Sequence, residues 1–177
     1  MAKKRKKSTL GLVFSAGAVL FAIAAVCMMF LNAVELVSGE NVLAQYTGVQ
    51  VAFGYSETYP LIGEVKFLNF SIMNLLPYIL ALAGAVVALI AALSKKSFLL
   101  NIIAVACFVA AAVFFFTAAS YVSVAGSEGS GTLNVLVKNI VDALKDGDNL
   151  KIAIGSILGG VFSVVAAACS ALKIFVK

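Results

Sequence analysis

The sequence predicts an all-α integral membrane protein: a four-helix transmembrane bundle with both termini cytoplasmic, a small extracytoplasmic β-sheet in the first outer loop and a short amphipathic helix in the second. Three observations carry that prediction. Hydrophobic residues make up 63% of the chain and charged residues 12%, a balance foreign to a soluble core. The charge-free runs 8–34, 67–94, 97–127 and 152–172 each reach the roughly 20 residues a helix needs to cross a hydrocarbon core. Finally, Ser94-Lys95-Lys96-Ser97 is the one break between the second and third runs, and so short a link makes the flanking helices antiparallel. Short loops rich in Lys and Arg stay in the cytoplasm, so these two lysines orient the whole chain.

The other charges agree with that orientation. Lys3, Lys4, Arg5, Lys6, Lys7, Lys95, Lys96, Lys173 and Lys177 fall on the cytoplasmic side, against Lys66, Lys138, Lys145 and Lys151 outside, and all 8 acids lie in the outer loops. The net charge of +5 is therefore a topology signal and not a nucleic-acid footprint. The resulting map has a basic cytoplasmic N-terminus at 1–9, spans at 10–33, 71–93, 98–121 and 150–173, and outer loops at 34–70 and 122–149. The link at 94–97 and the C-terminus at 174–177 are cytoplasmic.

The first span follows a basic cluster, as the core of a signal peptide does. Its apolar run exceeds the roughly 7 to 15 residues of such a core, and Leu31-Asn32-Ala33 is a poor cleavage site, so it is expected to stay as an anchor. The cluster reads as a topology signal before an anionic-lipid contact. In the first outer loop, Val49, Val51 and Phe53 alternate with Gln50, Ala52 and Gly54, the period of a strand with one covered face. Residues 64–67 alternate again, and 41–46 supply a third strand before a Thr47-Gly48 turn. So small a sheet needs the helix ends or a partner beneath it. Its aromatic residues serve packing and the membrane interface or, alternatively, recognition. Tyr46, Tyr55 and Tyr59 are the candidate interaction residues, since a tyrosine has a polar end that can face water, while Phe53 is expected to seal the sheet.

The second span is expected to begin between Asn69 and Leu75, with Pro77 in its first turn and Asn74 as cap. Asn69-Phe70-Ser71 matches a glycosylation sequon but abuts the span. After the third span, 126–131 has the composition of a flexible linker. Leu133, Leu136, Val137, Ile140, Val141 and Leu144 then recur at helical spacing, and Asp148 is placed to cap the fourth span. Within the spans, small residues recur at spacings of four and three: Gly11, Ser15, Ala18, Ala22 and Ala25; Ala81, Gly84, Ala88 and Ala91; Ser156, Gly160, Ser163, Ala167 and Ser170. Small faces let backbones approach, and Gly84, Gly155, Gly159 and Gly160 are the candidate packing residues, whether of one bundle or of a homo-oligomer.

The chemistry-bearing residues are few. The chain has no His, which removes the commonest general base, transition-metal ligand and haem ligand. Charged residues avoid the middle of every span, which argues against proton relays and voltage sensors. Cys27, Cys107 and Cys169 sit singly in spans, as packing thiols, and no disulfide framework is indicated. Glu40 with Glu57, or Glu57 with Glu64, would need a loop fold to bring them together as an acid pair. No catalytic residue, cofactor or metal site is expected, and no nucleic-acid partner.

Four spans, both ends inside and a larger first outer loop carrying strands resemble the plan of the claudins. Claudins carry a Trp and Cys signature in that loop, whereas this chain has no Trp and no Cys there, so the resemblance implies no junction function. The function expected is that of a structural or accessory multi-pass protein of the cell membrane. Beyond the lipid bilayer, a membrane or envelope protein meets its outer loops. The alternative is a small transporter or channel subunit acting as a homo-oligomer.

Overall fold

An apolar run in lipid can satisfy its backbone only within itself, and four stretches of this chain do so as helices. The structure, a computed structural model, describes residues 9–60, 63–94, 97–125, 142 and 149–175. In chain order these hold α1 (Thr9–Cys27), β1 (Asn32–Ser38), β2 (Asn41–Thr47), α2 (Gly48–Phe53), β3 (Tyr55–Tyr59), β4 (Gly63–Leu68), α3 (Ile72–Leu93), α4 (Ser97–Phe116), β5 (Leu150–Ile152) and α5 (Ile154–Phe175). Short 3-10 turns at Met28–Phe30 and Ala118–Tyr121 continue α1 and α4. Four stretches, Leu10–Phe30, Ile72–Leu93, Phe98–Phe116 and Ile154–Phe175, are long and apolar enough to cross a membrane. The amphipathic helix expected over 133–144, apart from Asp142, lies outside the described residues, as do the linker at 126–131, the Asp148 cap, Lys95 and Lys96.

Helices α1 and α4 each pack against both α3 and α5. Their contact faces are the small-residue stripes: Ser15, Ala18, Ala22 and Ala25 of α1, Ala81, Ala88 and Ala91 of α3, and Ser156, Ser163, Ala167 and Ser170 of α5 are all buried. The large aliphatic residues Leu20, Leu82, Val113 and Val164 face outward, as they do when hydrocarbon is the solvent and packing drives association. The fourth face was not visible as a stripe because it alternates in size. Asn101, Ala104, Phe108, Ala111 and Phe115 recur at spacings of three and four along α4, all buried, and their two rings fill the grooves that glycines open opposite.

The strands gather at one end of the helices, here the sheet end. They form a three-stranded sheet in the order β2-β1-β5 and a separate β3-β4 hairpin. Strand β1 pairs antiparallel with β2 on one side and with β5 on the other, so Leu36 lies opposite both Ala44 and Leu150. Strand β5 comes from the far side of α4 in sequence, which ties the two segments outside the helices into one sheet. A second tie joins residues 121–125 to β4 and α3: Ala125 donates its N–H to Phe67 at 2.9 Å, Asn69 to Ser123 at 2.8 Å, and the Ser71 hydroxyl donates to the Tyr121 carbonyl at 2.8 Å. Val34, Leu36, Tyr46, Val51, Phe67 and Leu68 form the core beneath, resting on Ala118.

Five expectations need correction. Residues 48–53 are helical and not a strand. Thr47 and Gln50 make a reciprocal cap, Gln50 Oε1 accepting from the Thr47 N–H at 2.9 Å and Thr47 Oγ1 from the Gln50 N–H at 3.4 Å, and the buried residues are Gly48, Val51 and Ala52 at helical spacing. Phe53 therefore does not seal a sheet: it is 55% exposed and leans on Phe70. At either side, 32–33 and 150–152, assigned to spans by their apolarity, are strand residues. In α3 the helix starts at Ile72, which leaves Pro77 inside the helix, a turn deeper than expected. Asn74 does not cap it. Its Nδ2 donates to Ser71 Oγ at 3.3 Å, and Ser71, the first flanking residue, has turned its hydroxyl to Tyr121.

Candidate functional site

Strand geometry puts alternate residues on one face, so Tyr55, Glu57 and Tyr59 of β3 project together. Their cross-strand neighbours in β4 are Leu68, Val65 and Gly63, whereas Lys66 and Glu64 stand opposite Ser56 and Thr58 on the other face. The ring of Tyr46, from β2, meets Tyr55 edge-on at 6.0 Å between centroids, and Tyr55 stacks on Phe67 at 6.2 Å. Tyr59 Oη donates to Glu57 Oε2 at 2.6 Å. Tyr55 flanks the same carboxylate on its other side along the strand. Two rings thus flank one solvent-facing acid, which the Tyr59 phenol holds in place.

The electrostatics follow from that geometry. Hydrogen bonds from Tyr59 and then Tyr55 hold the Glu57 carboxyl below the ordinary carboxylate range, because they stabilise its charged form. The same bonds raise the Tyr55 and Tyr59 phenols, since a phenolate could not donate to the acid. Tyr46 is pushed up to about 12, first by burial and then by Tyr55, Glu57 and Tyr59. A raised phenol in the folded state means that its contribution to stability is whole below the unfolded value of 10.0 and is lost as pH rises from there toward about 12. Thermal melts from pH 9 to 12 should therefore show the parent losing stability more steeply than Tyr46→Phe. Equal slopes would remove Tyr46 as the group responsible.

The three candidate tyrosines are brought together, but not equally. Tyr46 is 5% exposed and belongs to the sheet core, while Tyr55 and Tyr59 are half-buried at its rim. Glu57, considered only as half of an acid pair, is the residue that sequence reasoning passed over. A Tyr-x-Glu-x-Tyr run at period two was the available signal.

The candidate glycines sit at close approaches within the chain. A Cβ on Gly84 would lie 2.5 Å from the Phe108 ring, on Gly159 2.8 Å from Phe115, on Gly160 2.6 Å from Phe116, and on Gly155 2.7 Å from the carbonyl oxygen of Asn32. Gly155 therefore seats β1 on α5, not helix on helix. The helices also bury polar atoms: among the described residues Asn74 Oδ1, Asn101 Oδ1, Ser156 Oγ and Ser170 Oγ have no hydrogen-bond partner. Among the described residues, no three His, Cys, Asp or Glu side chains group as metal ligands do.

The likeness of plan to the claudins gains nothing from comparison with known proteins: no family model matches the chain, and no curated protein or solved structure matches it either.

Proposed function

We propose that this chain is a structural or accessory multi-pass protein of the cell membrane, a four-helix bundle with cytoplasmic termini whose strands form an extracytoplasmic interaction surface. One observation carries the reading: residues from both segments outside the helices fold into a single cap with its own core, and at its rim Glu57 is exposed between Tyr55 and Tyr59, whose rings pack against that core. A cap that only closed the helix ends would have no need of a carboxylate held by a phenol in solvent. The distribution of basic residues supports the orientation, with nine of them on the link side. The transporter alternative loses support, because the small-residue faces that an oligomer would use are filled by neighbouring helices of the same chain. The reading assigns no catalysis to the chain.

Two measurements in intact cells test it. Reporter fusions at Lys96 and after Lys177 should be active only with a cytoplasmic reporter, and fusions at Thr58 only with an exported one. A photo-crosslinking residue at Tyr59, beside Glu57 on the same face of β3, should capture one stoichiometric protein partner, and the same residue at Leu20 should capture lipid. An exported signal at Lys96 would reverse the orientation, and a Tyr59 probe that captures no protein would remove the interaction surface.

A further inference from the structure

We propose that the face built by Tyr55, Glu57 and Tyr59 receives a guanidinium group, carried by an arginine-bearing segment of a partner protein. The inference rests on the reading of the strands as an interaction surface and names the chemistry that surface selects.

Among the described residues no cation neutralises the Glu57 carboxylate. An ionised carboxylate offers about four acceptor positions, and the Tyr59 phenol uses one of them. No ammonium or guanidinium of the described residues takes the rest: the only charge-bearing residues of the hairpin besides Glu57, Lys66 and Glu64, stand on its opposite face. The acid is held at the rim of a packed core with acceptor positions turned to solvent. A cation drawn to Glu57 meets the rings of Tyr55 and Tyr59, whose π faces attract positive charge, and Tyr46 and Phe67 brace Tyr55 from behind.

Those two features together favour one cation. Free lone pairs reward N–H donors, which a quaternary ammonium such as a choline headgroup lacks. A guanidinium can donate two parallel N–H bonds to a carboxylate and lay its plane against a phenol ring, whereas a lysine ammonium is a strongly hydrated point charge with no plane to stack. Aromatic and arginine residues are the usual anchors of protein interfaces, so a partner arginine seated here would be a major one.

The test uses the full chain in phosphatidylcholine nanodiscs and a fluorescent peptide of alternating arginine and serine, read by anisotropy at moderate salt. Saturable binding should weaken at least tenfold with Glu57→Gln and severalfold with Tyr59→Phe, which keeps the ring and removes the hydroxyl. It should also weaken at least tenfold when citrulline replaces arginine in the peptide. Glu64→Gln, on the opposite face of the same hairpin, should change nothing, and melting temperatures should stay at the parent value because Glu57 is exposed. Equal losses from Glu57→Gln and Glu64→Gln would mean general charge attraction and overturn the site. Undiminished binding in Glu57→Gln, equal binding of a lysine peptide, or competition by tetramethylammonium would do so as well. A Tyr59 crosslink to a partner that survives Glu57→Gln would retain the interaction surface and reject only this chemistry for it.

Discussion

Gly159→Leu is expected to produce the largest loss of stability of any single change in the helices. The Phe115 ring already lies where a Cβ on residue 159 would be, within 2.8 Å, and Phe115 is itself 1% exposed and wedged edge-on against Tyr78 at 5.0 Å. A four-carbon side chain cannot fit unless the ring leaves, and the ring cannot leave without pushing α3 from α4. Overfilling a packed interior costs about 1 to 3 kcal/mol and sometimes more, and this site, closed on three sides, belongs at the upper end. The readout is the melting temperature in detergent. Phe115→Ala placed in the same chain should recover part of the loss by vacating the groove, although alone it should destabilise by leaving a cavity. An unchanged melting temperature for Gly159→Leu, or no recovery in the double variant, would mean that the two residues do not share this contact.

Leu36→Ala should act at the other end of the molecule and leave the helices standing. Leu36 is fully buried in the central strand, opposite both Ala44 and Leu150, and its side chain lies in the core that Tyr46, Val51, Phe67 and Leu68 share. Truncating a buried leucine costs about 2 to 5 kcal/mol. A small sheet has little stability to lose, so the three strands should open as a unit. Hydrogen exchange should show β1, β2 and β5 losing protection together while α3 and α4 keep theirs. If β5 stayed protected while β1 opened, the two segments outside the helices would not be joined through Leu36. If α3 and α4 opened as well, the strands would be integral to helix packing.

Much of the helical part was legible in the residues. Span length depends only on what lipid tolerates, and that condition acts on each segment separately. The three small-residue stripes were legible too, since a contact face repeats at helical spacing whatever it touches. The stripe of α4 was not, because Phe108 and Phe115 look like lipid-facing rings until Gly84 and Gly159 are seen to make room for them. Similarly, the exposed aromatic site was half visible. The tyrosines stood out by type, but Tyr46 turned inward and Glu57 gained its meaning only once β3 set it between two phenols.

Where the sequence misled, two elements explain why. Residues 48–53 satisfy both periods, alternating at Val49, Val51 and Phe53 and also placing Gly48, Val51 and Ala52 on one helical face. The Thr47 and Gln50 cap, together with the packing of Gly48 beside Tyr78 and Met29, decides for the helix. Strands β1 and β5 continue the apolarity of their neighbouring helices. β1 is buried on both faces and its register shifts twice, so no alternation marks it, and three residues of β5 carry no pattern at all. Local sequence was therefore enough for what a segment does by itself: form a helix long and apolar enough to cross a membrane and repeat a small face. Pairing between segments far apart in the chain was settled in three dimensions, because a strand buried on both faces and a groove for a ring each depend on atoms that another part of the chain supplies.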